Sequence, residues 1–197
     1  MFGIENYLGF VLAAILLNLT PGTDTMYIIT RSVSHGSAAG FYSVLGIISG
    51  ILVHTVFAAL GLSIILINSP LAFTIVKYIG ASYLCYLGIK MLMSKQPSLL
   101  ANHLPKSSPS APANSIAHWQ IYKQGVLTNV FNPKVALFFL AFFPQFIDPS
   151  YAHSALSFLI LGLSFALTGF VWCSCLALLA SKFSAKLRKN PAIEVLL

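Results

Sequence analysis

"LNLTPGTDTMYII", Leu17 to Ile29, lies inside a long apolar run and yet carries Pro21, Gly22 and a carboxylate, Asp24. Runs of this length normally exclude all three. The surroundings explain why the question matters. The 197-residue chain is 57% hydrophobic and only 8% charged, with a mean hydropathy of +0.85. A soluble domain cannot hide that much apolar surface. The expected class is therefore an all-α, polytopic helical membrane protein forming one transmembrane domain over residues 1–197.

Five apolar runs reach the roughly 20 residues that a bilayer crossing needs. They cover Tyr7–Thr30, Phe41–Ile67, Leu71–Met93, Gly125–Ile147 and Ser154–Ala180. The runs are continuous rather than alternating, which excludes membrane strands. The opening "MFGIENYLGF" has no basic stretch and no small-residue cleavage site. It does not read as a signal peptide, so the first span is expected to remain. The end, "PAIEVLL" from Pro191, reads as the start of a sixth span cut short.

The net charge of +7 does not indicate nucleic acid, because no basic face interleaved with aromatics is present. The bases mark orientation instead. Arg31, Lys90, Lys95, Lys106, Lys123, Lys182, Lys186, Arg188 and Lys189 all fall on one side of an alternating topology, and none on the other. The N-terminus is thus expected outside and the stretch 94–124 inside. Rich in Pro, Ser, Ala and Asn, that stretch reads as a flexible cytoplasmic linker between two sets of spans.

Two further charges lie within spans. Asp24 sits roughly 9 Å from the inner end of the first predicted span, and Lys134 roughly 14 Å into the fourth. A lone charge at such depth costs about 2.5–3.5 kcal/mol on insertion scales, which makes each a candidate functional residue. Lys77 is close enough to the outer boundary to snorkel. The prolines match in depth: Pro21 follows Thr20 and Pro133 follows Asn132. A capping residue followed by proline is a helix restart signal. Each span is therefore expected to be two half-helices with a new N-terminus at mid-membrane. Such breaks persist only where they are buried in protein or line a wet cavity. Because spans one and four run in opposite directions, the pattern is that of an inverted 3+3 repeat with its sixth helix truncated.

Asn18, Thr20, Pro21, Gly22, Asp24, Asn129, Asn132, Pro133 and Lys134 are the candidate substrate-binding residues. His54, near the middle of span two, joins Asp24 as a proton-relay candidate. Gly46 and Gly50 form a Gly-x-x-x-Gly step, expected to pack helices within the chain, with a homodimer left open. Cys85, Cys173 and Cys175 read as small buried hydrophobes. No carboxylate pair, nucleotide loop or metal-ligand cluster is evident, so no enzyme, cofactor or metal is expected.

Four segments also carry a resemblance that covers nearly the whole chain. They are "TPGTDTMYIITRSVSHG" (Thr20–Gly36), "AGFYSVLGIISGILVHTVFAALGLS" (Ala39–Ser63), "YIGASYLCYLGIKML" (Tyr78–Leu92) and "TNVFNPKVALFFLAFFPQFI" (Thr128–Ile147). Together they resemble the lysine-exporter (LysE) superfamily, in its RhtB-like branch. The resemblance implies six spans in the cell inner membrane. It also implies secondary export of amino acids or close derivatives, driven by the proton or ion gradient. The chain departs from the family in having Pro21-Gly22-Thr23 in place of Pro-Gly-Pro, and in the missing sixth span. Lacking that span, the chain is expected to be an incomplete or weakly active form. The competing readings are a membrane thiol-redox protein, which would need cysteines beside the breaks, and a non-transporting membrane subunit.

Overall fold

The computed structural model describes residues 2–62, 70–93, 117–148, 151 and 155–188. The protein is all-α and built for a membrane. In chain order its helices are α1 (Tyr7–Leu19), α2 (Thr23–Phe57, followed by a π-turn Ala58–Leu62), α3 (Pro70–Met93), α4 (His118–Val130), α5 (Pro133–Phe142, followed by a 3-10 turn Phe143–Phe146) and α6 (Ala155–Arg188). By length and composition Thr23–Gly61 and Ala155–Lys186 can cross a bilayer, and α4 with α5 makes a broken span bent by 48°.

The stretch Thr23–Gly61 is not one straight rod. Gly36 inside it has φ 83° and ψ −175°, a conformation that L side chains rarely adopt. Asp24 and His54 would lie roughly 45 Å apart on a straight helix. Both instead bond to the same residue: Asp24 Oδ2 accepts from Asn129 Nδ2 at 2.9 Å, and His54 Nε2 meets the Asn129 carbonyl at 3.2 Å. The chain therefore reverses at Gly36, and its two arms, 23–35 and 37–57, lie side by side. The expected ten-residue loop between spans one and two is absent. Helix continues through Arg31, Ser32 and Ser34, because backbone hydrogen bonding does not stop where the apolar run stops. The same holds at α4, which begins at His118. The last residues of the expected linker, from His118 to Gln124, are thus helical; residues 94–116 lie outside those described, as do 189–197 with the expected start of a sixth span.

Two broken elements, the first α1 with the arm 23–35 and the second α4 with α5, run antiparallel in register. Ile4 pairs with Ile147, and the Phe10 and Phe143 rings meet edge to face at 5.3 Å. Lys134 Nζ reaches the Thr20 carbonyl, Asn129 reaches Asp24, and Arg31 donates to Gln124 Oε1 at 2.8 Å. The breaks therefore face each other. Helix α6 runs parallel to the first broken element, tied to it by Tyr7–Ser164, Asn18–Thr168 and Ser184–Val33 hydrogen bonds.

Close approach between the second arm of α2 and α4 requires glycine. A Cβ at Gly46 would run into the Tyr122 carbonyl, and one at Gly125 would lie 3.1 Å from the Gly46 Cα. At Gly50 it would lie 2.6 Å from the Asn129 Cβ. The Gly-x-x-x-Gly step is thus consumed inside the chain and gives no ground for a homodimer. Of the cysteines, only Cys173 is buried; Cys85 and Cys175 are exposed, contrary to expectation. Burial in a helical membrane protein follows facing within the bundle rather than hydropathy, since lipid accepts the same side chains. The Lys77 side chain lies outside the described set.

Replacing Gly46 with valine should destabilise the protein by about 1–3 kcal/mol, as overpacking does. Gly61→Ala, where a Cβ meets nothing within 4 Å, should be neutral. Thermal unfolding in detergent checks this; equal midpoints for the two variants would contradict the packing.

Candidate functional site

Helix α1 ends at mid-span, where its last carbonyls lack the full set of intrahelical donors; the Thr20 backbone N–H reaches those of Leu16 and Leu17, at 3.1 and 3.2 Å. Thr20 is its C-cap: the Thr20 hydroxyl donates to the Leu16 carbonyl at 2.8 Å. Lys134 supplies the other donors, its ammonium reaching the Leu17 carbonyl at 3.1 Å and the Thr20 carbonyl at 2.8 Å. A cation at the negative end of a helix dipole is favoured as well as hydrogen-bonded. This is why a lysine tolerates such depth.

The chain resumes as helix at Thr23, with Gly22 as N-cap and no side-chain cap. The expected Thr20–Pro21 restart is therefore corrected: Thr20 closes the first half-helix instead of opening the second. Its hydroxyl turns back to Leu16, and Pro21 and Gly22 remain extended between the halves. Asp24 sits in the first turn of the resumed helix, where the dipole favours a negative charge. Gly22 lies against the lysine, since a Cβ there would be 3.3 Å from Lys134 Nζ.

The second break has the cap that the sequence signals. Asn132 Oδ1 accepts from the Lys134 backbone N–H at 3.0 Å, and Pro133 is the first residue of α5. The carbonyl of Asn129, near the end of α4, receives the Asn132 N–H at 2.9 Å and faces His54 Nε2. His54 is buried, with its ring 5.5 Å from that of Phe139. Each break is thus closed by a side chain from the other half of the chain.

Asp24, Lys134 and Asn18 line one cavity together with Leu17, Thr25, Ile47, Ile51, Val135, Phe165 and Cys173. Its volume is about 20 Å³, room for a single water. Asn129, fully buried, and Asn132 stand behind Asp24 and do not form the cavity wall. Pro21 and Pro133 are exposed and shape the breaks without facing the cavity. Asp24 Oδ1 is buried with no hydrogen-bond partner, while Oδ2 is held by Asn129. An ammonium has three donors, and carbonyls occupy two of those of Lys134. The cavity therefore lies between a carboxylate oxygen and an ammonium, each anchored on one side and unsaturated on the other.

Sequence reasoning missed Cys173, Ile47, Ile51 and Phe165, which come from two other helices and carry no local signal. Cys173 brings a thiol to the breaks after all. It has no partner for dithiol chemistry, because Cys175, two positions on, is exposed on another face of α6. Among the described residues no group of three or more His, Cys, Asp or Glu side chains could hold a metal.

An uncharacterized membrane protein of Pseudomonas aeruginosa is 33% identical over 188 residues, covering 95% of this chain and 85% of its own. A leucine efflux protein of Salmonella typhimurium is 31% identical over 177 residues, covering 90% and 80%. An uncharacterized membrane protein of Bacillus subtilis is 34% identical over 145 residues, covering 74% and 69%. No solved structure matches the chain. The family model described as LysE type translocator matches residues 15–197, taking in both breaks and every residue of the cavity, and the chain belongs to that family.

Proposed function

We propose that this protein is a secondary transporter exporting amino acids across the cell inner membrane, with its N-terminus outside. The observation that carries the reading is the cavity between Asp24 and Lys134. A zwitterion fits it in charge: the α-ammonium against Asp24 Oδ1, and the α-carboxylate against the remaining Lys134 donor. The named activity of the Salmonella relative supports an amino acid as cargo. The thiol-redox alternative lacks its second thiol at the site.

A cavity of about 20 Å³ does not admit an amino acid, so this conformation is occluded. The side toward the N-terminus is closed by packed phenyl rings, with Phe139 and Phe143 stacked at 4.1 Å and Phe138 and Phe165 tilted at 5.1 Å. Export requires those rings to part. Coupling to the proton gradient is assigned to Asp24. His54 meets the Asn129 carbonyl and the Phe139 ring, and neither a carbonyl nor a phenyl ring passes a proton on, so His54 positions the second break.

Efflux of amino acids from preloaded cells should fall at least tenfold in Asp24→Asn and in Lys134→Ala, with membrane abundance retained. Uphill efflux by the unaltered protein should stop on adding a protonophore. Near-normal efflux in either variant removes that residue from the mechanism, and uncoupler-resistant uphill efflux removes the gradient.

Orientation is checked separately. A cysteine placed at Ser107, with Cys85 and Cys175 replaced, should resist an impermeant maleimide in intact cells and react once they are opened. Reaction in intact cells reverses the topology.

A further inference from the structure

Beside the charged cavity lies a second, larger space. It is a groove of about 430 Å³ between α1 and α6, walled by Ile15, Leu19, Leu167, Val171, Trp172 and Cys175, with Asn18 and Thr168 also lining it. That volume is in the range of small-molecule sites, about 300–1,000 Å³. Asn18 lines both spaces. Its amide donates to Thr168 Oγ1 at 3.1 Å, and the Thr168 hydroxyl donates in turn to the carbonyl of Phe165, a residue of the cavity wall. One hydrogen-bonded partition, Asn18–Thr168–Phe165, therefore separates a site that can hold the two charges of an amino acid from an open groove lined mainly by apolar side chains, the Trp172 indole and the Cys175 thiol among them.

We infer that this groove receives the apolar side chain of the exported amino acid, and that Leu167 and Val171 set its size limit. The inference rests on the reading of the Asp24–Lys134 cavity as the site of the amino and carboxylate groups. Three observations favour this occupant. The cavity is too small to hold side chain and main chain together. The groove adjoins it through a single shared side chain. The cavity wall offers no charge beyond Asp24 and Lys134 to pair with a charged side chain. The substrate class is then a zwitterion with an apolar side chain, and main-chain recognition is divided from side-chain recognition at Asn18.

The test uses proteoliposomes preloaded with labelled leucine and alanine together. In Val171→Trp and Leu167→Trp, which fill the groove, the ratio of leucine to alanine efflux should fall at least tenfold. Leu163→Trp, on the same exposed face of α6 but outside the groove, should leave the ratio unchanged. Leu167→Ala, which only widens the groove, should raise phenylalanine efflux relative to leucine at least threefold, and reads the same limit without added bulk. An unchanged ratio in the groove variants, whether both rates fall or neither does, overturns the inference and leaves the groove to lipid or to another protein segment. An equal change in Leu163→Trp also overturns it. Absence of any amino-acid efflux from the unaltered protein overturns both this inference and the function on which it rests.

Discussion

A helix that stops inside a membrane leaves carbonyls that neither lipid nor its own backbone can satisfy, and the fold depends on how those at the end of α1 are met. Lys134 reaches two of them from a position 117 and 114 residues further along the chain, joining the Thr20 N–H at the Leu17 carbonyl and supplying a donor to the Thr20 carbonyl. The same contact solves the lysine's own problem, because a buried ammonium is tolerable only with acceptors around it. Break and charge are thus mutually dependent. Without Lys134 the Thr20 carbonyl would lose this donor, and without the break Lys134 would be a bare charge at depth.

The second break repeats the logic with different chemistry. The Asn129 carbonyl is met by the Asn132 backbone and by His54 from the other half of the chain. Each break has local caps and a side chain from the other half, so the two breaks hold each other at one level. The glycines at Gly46, Gly50 and Gly125 let the backbones come near enough for these short side chains to reach. On the N-terminal side of the breaks the interface is aromatic, built on Phe10, Phe138, Phe139 and Phe143. On the other side it is polar, with Tyr27 donating to the Ile121 carbonyl and Arg31 to Gln124. The same antiparallel pair therefore seals one end with apolar rings and the other with hydrogen bonds, two closures of unlike strength in water.

The cavity so formed is charged at two points and apolar elsewhere, and its walls come from five segments: α1, both arms of α2, α5 and α6. Any enlargement must move at least one of them. The breaks are where backbone hydrogen bonds are already missing, so bending there costs least. A substrate whose charges displace the Lys134–carbonyl contacts would act on the same joint that holds α1 to α5.

By itself the sequence determined the membrane class, the two breaks and the identity of the two charges within the spans. It could do so because proline, glycine and charge are each costly in lipid, and a costly residue is legible wherever it stands. Asn132 and Pro133 were readable as a cap and a first helical residue for the same local reason. The tertiary structure alone decided the rest. It turned the chain at Gly36, where the sequence offered one glycine among several and hydropathy suggested a loop. It assigned Thr20 to the end of α1 and not to the start of α2, since a hydroxyl can serve either side and only the neighbouring lysine tips the balance. It brought Cys173, Ile47 and Phe165 to the charges, and it seated Asn18 between two spaces. Facing around a helix is set by what packs against it, and in lipid an apolar residue carries no mark of whether it will meet a helix, a cavity or the bilayer.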